Sequence, residues 1–193
     1  MSEAAVTKKV IADGFRYVME KKSFDKITIS DITDKCGLNR QTFYYHFQDK
    51  YELLNWILYT DVVVPFTENL SIDNWSDKLL NMLNTLKDNH KFYVNALNTA
   101  HGDEFKKYFL DAVTDVICEI IDRITEGQSI DPDDRQFIAG FFAYGITGTV
   151  SRWVMTGMKR SPEATAVYIK NLVNDFKVFA LKRYISTELI NID

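Results

Sequence analysis

The sequence predicts an all-α protein in two parts: an amino-terminal three-helix domain with a helix-turn-helix over residues 6–67, and a larger helical domain over 68–193. About nine helices are expected in total. Three observations carry this. Apolar residues recur at spacings of three and four along the chain, the period of a helix that buries one face. Only three Pro and eight Gly interrupt 193 residues, so long segments carry no breaker. Capping residues and turn glycines fall between the periodic segments, and 46% hydrophobic content is enough to fill an interior.

Thr7 is placed to cap a first helix in which Ile11, Gly14, Phe15 and Val18 share one face, ending near Lys22. Phe24 and Ile27 anchor the connection that follows. Thr28 can cap a second helix by accepting from N–H groups two or three residues on, and Asp31 adds negative charge where the helix dipole favours it. That helix runs to Cys36. Gly37 suits the left-handed conformation that ends a helix, and Asn39 is a strong cap for the next one. Two short helices therefore meet at a sharp angle.

In the third helix Phe43 and Phe47 lie four apart and define the buried side, at about 100° per residue. Gln41, Tyr45 and Gln48 point away from it, and Arg40, Thr42, Tyr44 and His46 fall on its flanks. Such an outward face fills no core, yet offers the donors, acceptors and aromatic edges that a DNA major groove accepts. A plain solvated helical hairpin has the same Gly-turn spacing, which does not separate the two readings. Asp49 then starts a fourth helix from Lys50 through Leu53, Leu54, Ile57 and Leu58, ending or bending near Pro65.

The polar stretch Asn69 to Asp73 marks the boundary with the second part. Further helices are expected over 75–87, 91–100, 103–124, 133–158 and 162–185, with Pro132 and Pro162 at or near first helical positions. The last two are too apolar for one core-facing stripe. Ile138, Phe141, Phe142, Gly145, Thr149 and Trp153 on one, with Val167, Ile169, Leu172, Val173, Phe176, Phe179 and Leu181 on the other, imply a partner for the remainder. Gly140, Gly145 and Gly148 permit close helix approach there. Trp75, Phe92, Tyr93, Phe105, Tyr108, Phe109, Phe137 and Tyr144 could line an apolar effector pocket, or could be ordinary core, and helical spacing serves both readings.

A net charge of −4 at first argues against DNA, which attracts Lys and Arg. The distribution answers this. Residues 1–50 carry nine basic and seven acidic side chains, a balance of +2, which leaves −6 for the rest of a chain whose total is −4. Met1 to Ala5 is short and polar, and no apolar run reaches the roughly 18 residues of a membrane span, so a cytoplasmic protein with no membrane partner is expected. Cys36 and Cys118 have no metal-type spacing and read as small buried residues. His90 and His101, with Asp103 and Glu104 nearby, share a face only on one continuous helix, and neither metal nor cofactor is expected. There is no Gly-rich phosphate loop followed by Lys-Ser/Thr, no Gly-x-Ser-x-Gly elbow and no His-Glu-x-x-His helix, and Asp111 and Asp115 fit an exposed acidic face. Catalysis is not expected.

The segment from Gly37 to Leu53, GLNRQTFYYHFQDKYEL, resembles the signature of TetR-family transcriptional regulators in its Thr-aromatic-Tyr, the aromatic after His and the Lys that opens the next helix. The resemblance implies a homodimer on a pseudo-palindromic double-stranded DNA operator. It implies base reading by Arg40, Gln41 and Tyr44, and phosphate contacts from Thr28, Thr42, Tyr45 or His46, and Lys50, with Asn39 opening the reading helix. Many family members carry a small residue where this chain has Gln41, so base preference does not transfer; Gln favours adenine only in general. The family's dimers form through the last two long helices, here the region of Phe141, Gly145, Gly148, Leu172, Phe176 and Phe179. The stretch GFFAYGITGTVSRWVMTGM after Ala139 is similar to the branch that contains the dihydroxyacetone kinase operon activator, which implies such an activator, controlled by a small molecule or a protein coactivator. The competing reading is a non-catalytic helical interaction scaffold with little DNA binding.

Overall fold

A computed structural model describes residues 3–97, 99, 102–125 and 130–185, apart from the side chains of 102–105, 124 and 177–185. The elements are α1 (Glu3–Met19), α2 (Ile29–Cys36), α3 (Arg40–His46), α4 (Lys50–Leu58), α5 (Val64–Thr67), α6 (Trp75–Asp88), α7 (His90–Leu97), α8 (Gly102–Ile124), α9 (Pro132–Met155) and α10 (Pro162–Ile185). A 3-10 turn spans Phe24–Lys26 and a π-helical turn spans Tyr59–Val63. No strand occurs among the described residues, as the all-α expectation requires.

Local chemistry sets most boundaries. The Thr28 hydroxyl accepts from the Asp31 N–H at 3.2 Å while an Asp31 carboxylate oxygen accepts from the Thr28 N–H at 2.9 Å, a reciprocal capping box for α2. The Lys22 ammonium, followed by the Thr28 amide and hydroxyl, holds the Asp31 carboxyl down at about 2. Gly37 ends α2 at φ +66°, a conformation that costs an L side chain. Asp49 caps α4 by accepting from the N–H groups of Tyr51 and Glu52, each at 2.8 Å.

One expectation needs correction. Thr7 does not cap α1. It lies inside a helix that begins at Glu3, and its hydroxyl donates to the Glu3 carbonyl at 3.1 Å, because the Ala4-Ala5 run extends the helix past it. The helical segment after Leu58 ends near Pro65 as expected, at Thr67, and it reaches that end through the π turn at Tyr59–Val63. Proline has no N–H for the Asp61 carbonyl, and the backbone widens by one residue ahead of it, with Val64 N–H bonding back to the Tyr59 carbonyl.

Helices α1, α2 and α3 close around Ile11, Phe15, Ile32, Phe43 and Phe47, and Leu53, Leu54 and Ile57 of α4 complete that core. In the body α8 packs along α9, α10 lies against α6 and α8, and α7 sits between α1 and α9. One apolar cluster runs continuously from Ile11 to Val173, so the two parts share a core. The joint includes edge-on contact between Phe15 of α1 and Phe92 of α7, with ring centroids 6.2 Å apart. An ion pair from Arg16 of α1 to Asp61 in the π turn reinforces it.

Gly14 is required where α1 meets α2. A Cβ there would overlap Cys36 Sγ and lie 3.3 Å from the Ile32 carbonyl oxygen, and the thiol is held in place by donating to the Val10 carbonyl at 3.3 Å. Gly14→Ala therefore costs about 1–2 kcal/mol by overpacking, despite the gain in helix propensity of about 1 kcal/mol. In a Cys36→Ala chain the same change becomes close to neutral. Urea unfolding of the four variants reads the difference, and equal costs in both backgrounds would contradict the contact.

Candidate nucleic-acid interface

Helix α3 is held by two inward rings and one cap. Phe43 is fully buried, Phe47 nearly so, and their centroids are 5.9 Å apart. Phe47 follows the last helical residue in extended conformation and packs edge-on against Trp56 of α4 at 5.8 Å. Asn39 caps the helix, its side-chain oxygen accepting from the Thr42 N–H at 2.8 Å and from the Thr42 hydroxyl at 3.0 Å.

With that side fixed, the other side faces water. Arg40, Gln41, Tyr44 and Tyr45 are exposed, Tyr45 at 82% against 50% for Tyr44. Tyr44 leans edge-on against Phe43 at 5.6 Å, so its ring is steadied while its hydroxyl remains at the surface, 3.4 Å from an Arg40 nitrogen that donates to it. His46 is half-buried against the Tyr45 ring, with centroids 5.0 Å apart. Thr28 is exposed at the start of α2. The sequence-derived reading set thus lies together on and beside one short helix, with polar atoms outward and little of it needed for the core.

Lys50 is placed differently from its expected role at a phosphate. Its ammonium donates to the carbonyls of Phe24 (2.9 Å), Ile27 (3.0 Å) and Asp25 (3.2 Å) and sits 4.7 Å from the Phe24 ring centroid. All three of its hydrogens bond to the turn before α2, so a phosphate reaches it only by displacing one of those carbonyls. Sequence reasoning also missed Lys8, whose ammonium lies over the Phe47 ring at 5.1 Å and the Trp56 ring at 5.8 Å, beside the base of α3. No short-range signal identifies either contact, since the partners are more than twenty residues away.

The aromatic set considered for an effector pocket does not converge. Phe92 and Tyr93 are buried at the joint with α1, where burial, then the Asp61 charge, pushes the Tyr93 hydroxyl well above its usual value. Phe109 is buried against Phe66, with centroids 5.1 Å apart. Tyr108, next in sequence, lies outward against Tyr59 and lines an open groove of about 500 Å³ beside α4. Phe137 and Tyr144 are exposed on α9. Trp75 borders an enclosed space of about 20 Å³ with Phe66, Leu79, Val113, Val116, Ile117 and Ile146, room for one water and not for a metabolite. The Phe105 side chain lies outside the described residues, as does His101. Among the described residues no cluster of His, Cys, Asp and Glu could hold a metal ion, and no helix is long and apolar enough to cross a membrane.

The outer face of α9 and α10 inverts the usual order. Ala139, Ala143, Thr147 and Val150 point inward, while Phe137, Phe141 and Tyr144 stand in solvent. Small residues on the inner side let α8 approach α9 closely. The large ones, with Tyr168 and Leu172 of α10, line an open apolar groove of about 1170 Å³. Gly140, Gly145 and Gly148 have nothing within 4 Å of an added Cβ, so they give no close approach within this chain and leave room on its outside. Phe176 is half-buried, tilted onto Phe142 at 4.0 Å between centroids, and the Phe179 side chain is outside the described residues.

Comparison with known proteins agrees with this arrangement. Residues 11–57 match the family model for bacterial regulatory proteins of the tetR family, and residues 73–175 match the model for a transcriptional regulator C-terminal region. The chain is 36% identical over 93 residues to the HTH-type dhaKLM operon transcriptional activator DhaS of Lactococcus lactis subsp. lactis (strain IL1403), a match spanning 48% of this chain and 50% of that protein. The solved structure of a dihydroxyacetone kinase operon activator DhaS superposes with a TM-score of 0.73 at 26% identity, covering 91% of this chain and 98% of that one. NalD, the secondary repressor of the MexAB-OprM multidrug efflux pump in Pseudomonas aeruginosa, shares the fold at 12% identity, with a TM-score of 0.62 over 91% of this chain and 97% of that one. The chain belongs to the TetR family of bacterial transcriptional regulators.

Proposed function

We propose that this protein binds a pseudo-palindromic operator as a homodimer and activates transcription of a dihydroxyacetone kinase operon in response to an effector acting on residues 68–193. The observation that carries operator binding is the polar outward face of α3. Arg40, Gln41 and Tyr44 reach base edges in the major groove, while Tyr45 and His46 contact the backbone and set the register; Thr28 and Thr42, whose hydroxyls donate to Asp31 and Asn39, join them only by giving up those bonds. Lys50 is left out of the phosphate contacts, since its hydrogens already bond to the protein.

The second copy covers the α9 and α10 groove. An apolar surface of that kind is rarely left bare, and a twofold pairing buries Phe141, Leu172 and the gap at Gly145 and Gly148 against themselves. Likeness to DhaS supports the operon and the direction of regulation. Tight packing around Trp75 favours an effector, small molecule or protein coactivator, that acts from the surface of the body. A dimer places two reading helices on one side, and an effector shifts their spacing by binding one arrangement better than the other.

Gln41→Ala relaxes discrimination at one base position by about 1–3 kcal/mol, and Tyr45→Ala weakens every duplex alike. Because Tyr45 is exposed, folding stability stays within about 0.5 kcal/mol of the parent. Competition binding across a panel of operator variants reads both; unchanged discrimination in Gln41→Ala would contradict the orientation of α3. Leu172→Glu places a charge in the groove without disturbing the interior and halves the mass in solution by sedimentation, whereas an unaltered mass refutes pairing through this face. Phe176 is the poorer test, because its ring also packs on Phe142.

A further inference from the structure

The face of α7 that meets the reading unit carries one polar residue among apolar ones. Phe92 and Ala96 are buried, and Asn95, one turn on from Phe92, turns its amide toward the end of α1. Its nitrogen donates to the carbonyls of Met19 (3.0 Å) and Lys22 (2.9 Å), and its oxygen accepts from the Phe24 N–H (3.2 Å). All three contacts cross more than seventy residues of sequence. Two of them occupy carbonyls at and just after the end of α1, groups that a helix end otherwise leaves without partners.

Phe24 is then held through both of its backbone polar groups. Its N–H bonds to Asn95 of the body, and its carbonyl accepts from Lys50, the first residue of α4, four positions after the end of α3. A parallel aromatic chain runs from Phe92 to Phe15 to Phe24 to Tyr51, with successive centroids 6.2, 6.1 and 5.0 Å apart. Apolar contacts of this kind tolerate sliding. Hydrogen bonds from a planar amide do not, because both distance and angle are constrained. An apolar residue at 95 would fill the joint; the amide adds a fixed angle to it.

We propose that Asn95 is a positioning residue for operator recognition: through the 22–27 turn and Lys50 it sets the angle of α3 to the body, and hence the spacing between the two reading helices of a dimer. The inference rests on the dimeric operator reading above. It assigns the transmission of body geometry to a single hydrogen-bonded relay, with Asn95 and Lys50 at its ends and the Phe24 backbone between them.

The test uses the full chain and duplexes selected by the wild-type protein, with the half-site separation changed by one or two base pairs, together with an isolated half-site. In Asn95→Ala, affinity for the preferred separation falls about tenfold, a loss of the size expected from one or two hydrogen bonds. Its preference among separations broadens, while binding to the isolated half-site stays within about twofold. Lys50→Met gives the same pattern, and the double variant adds no further loss. A proportional loss on half-site and full operator, an unchanged preference among separations, or additive losses would each overturn the relay. Melting curves confirm the folded state; should Asn95→Ala not fold, Asn95→Ser, which keeps a hydroxyl at the joint, is read by the same criteria. A wild-type protein with no preference for paired half-sites overturns the operator reading and the relay with it, whereas an unaltered Asn95 variant beside a spacing-selective wild type overturns the relay alone.

Discussion

Burial of Phe43 and Phe47 is the constraint on which the reading surface depends. Helix α3 has seven residues, far below the length at which a helix holds itself in water, so its pose comes from its packing. Phe43 enters the core of α1 and α2, Phe47 closes onto Trp56 of α4, and the Asn39 cap supplies the first turn with its acceptor. Once those three are satisfied, the rotation of about 100° per residue leaves Arg40, Gln41, Tyr44 and Tyr45 no direction but outward. Polar residues there cost the fold little, because no core position is asked of them.

The same economy extends to the joint between reading unit and body. Phe15 touches both Phe24 and Phe92, so the ring that anchors α1 also ties the turn before α2 to α7. Arg16, its neighbour, pairs with Asp61 in a π turn created by the missing N–H of Pro65. Polar and apolar ties thus converge on α1 from two directions. Through that convergence a displacement of α7 or of the π turn bears directly on α1 and on the turn before α2.

Features decided within four residues were legible in the sequence: the Thr28 cap with the acidic Asp31 in the first turn, though not the bond that Asp31 accepts in return, the left-handed Gly37, the Asn39 and Asp49 caps, and Pro132 and Pro162 at helix starts. The inward face of α3 was legible too, since Phe43 and Phe47 alone among its residues have no polar atom to offer. Contacts across long separations were not. Lys50 has the charge of a phosphate anchor, and nothing nearby in sequence shows that three carbonyls already occupy it. In α9, apolar residues surround the helix, so periodicity cannot say which side is in; Ala139 and Ala143 go inward because α8 needs the space, and the aromatics are displaced to the surface. Tyr108 and Phe109 adjoin in sequence and part by one helical step, one to a groove and the other to the core.

The central claim is that two copies of one short helix, presented by a shared body, read a symmetric DNA site. Selection of bound duplexes from a random pool by the full-length protein measures this most directly. The account predicts enrichment of two inverted half-sites at one fixed separation, near one helical turn of about 10 base pairs or a multiple of it. Enrichment of a single unpaired site, or recovery of a pool no different from the input, would contradict it.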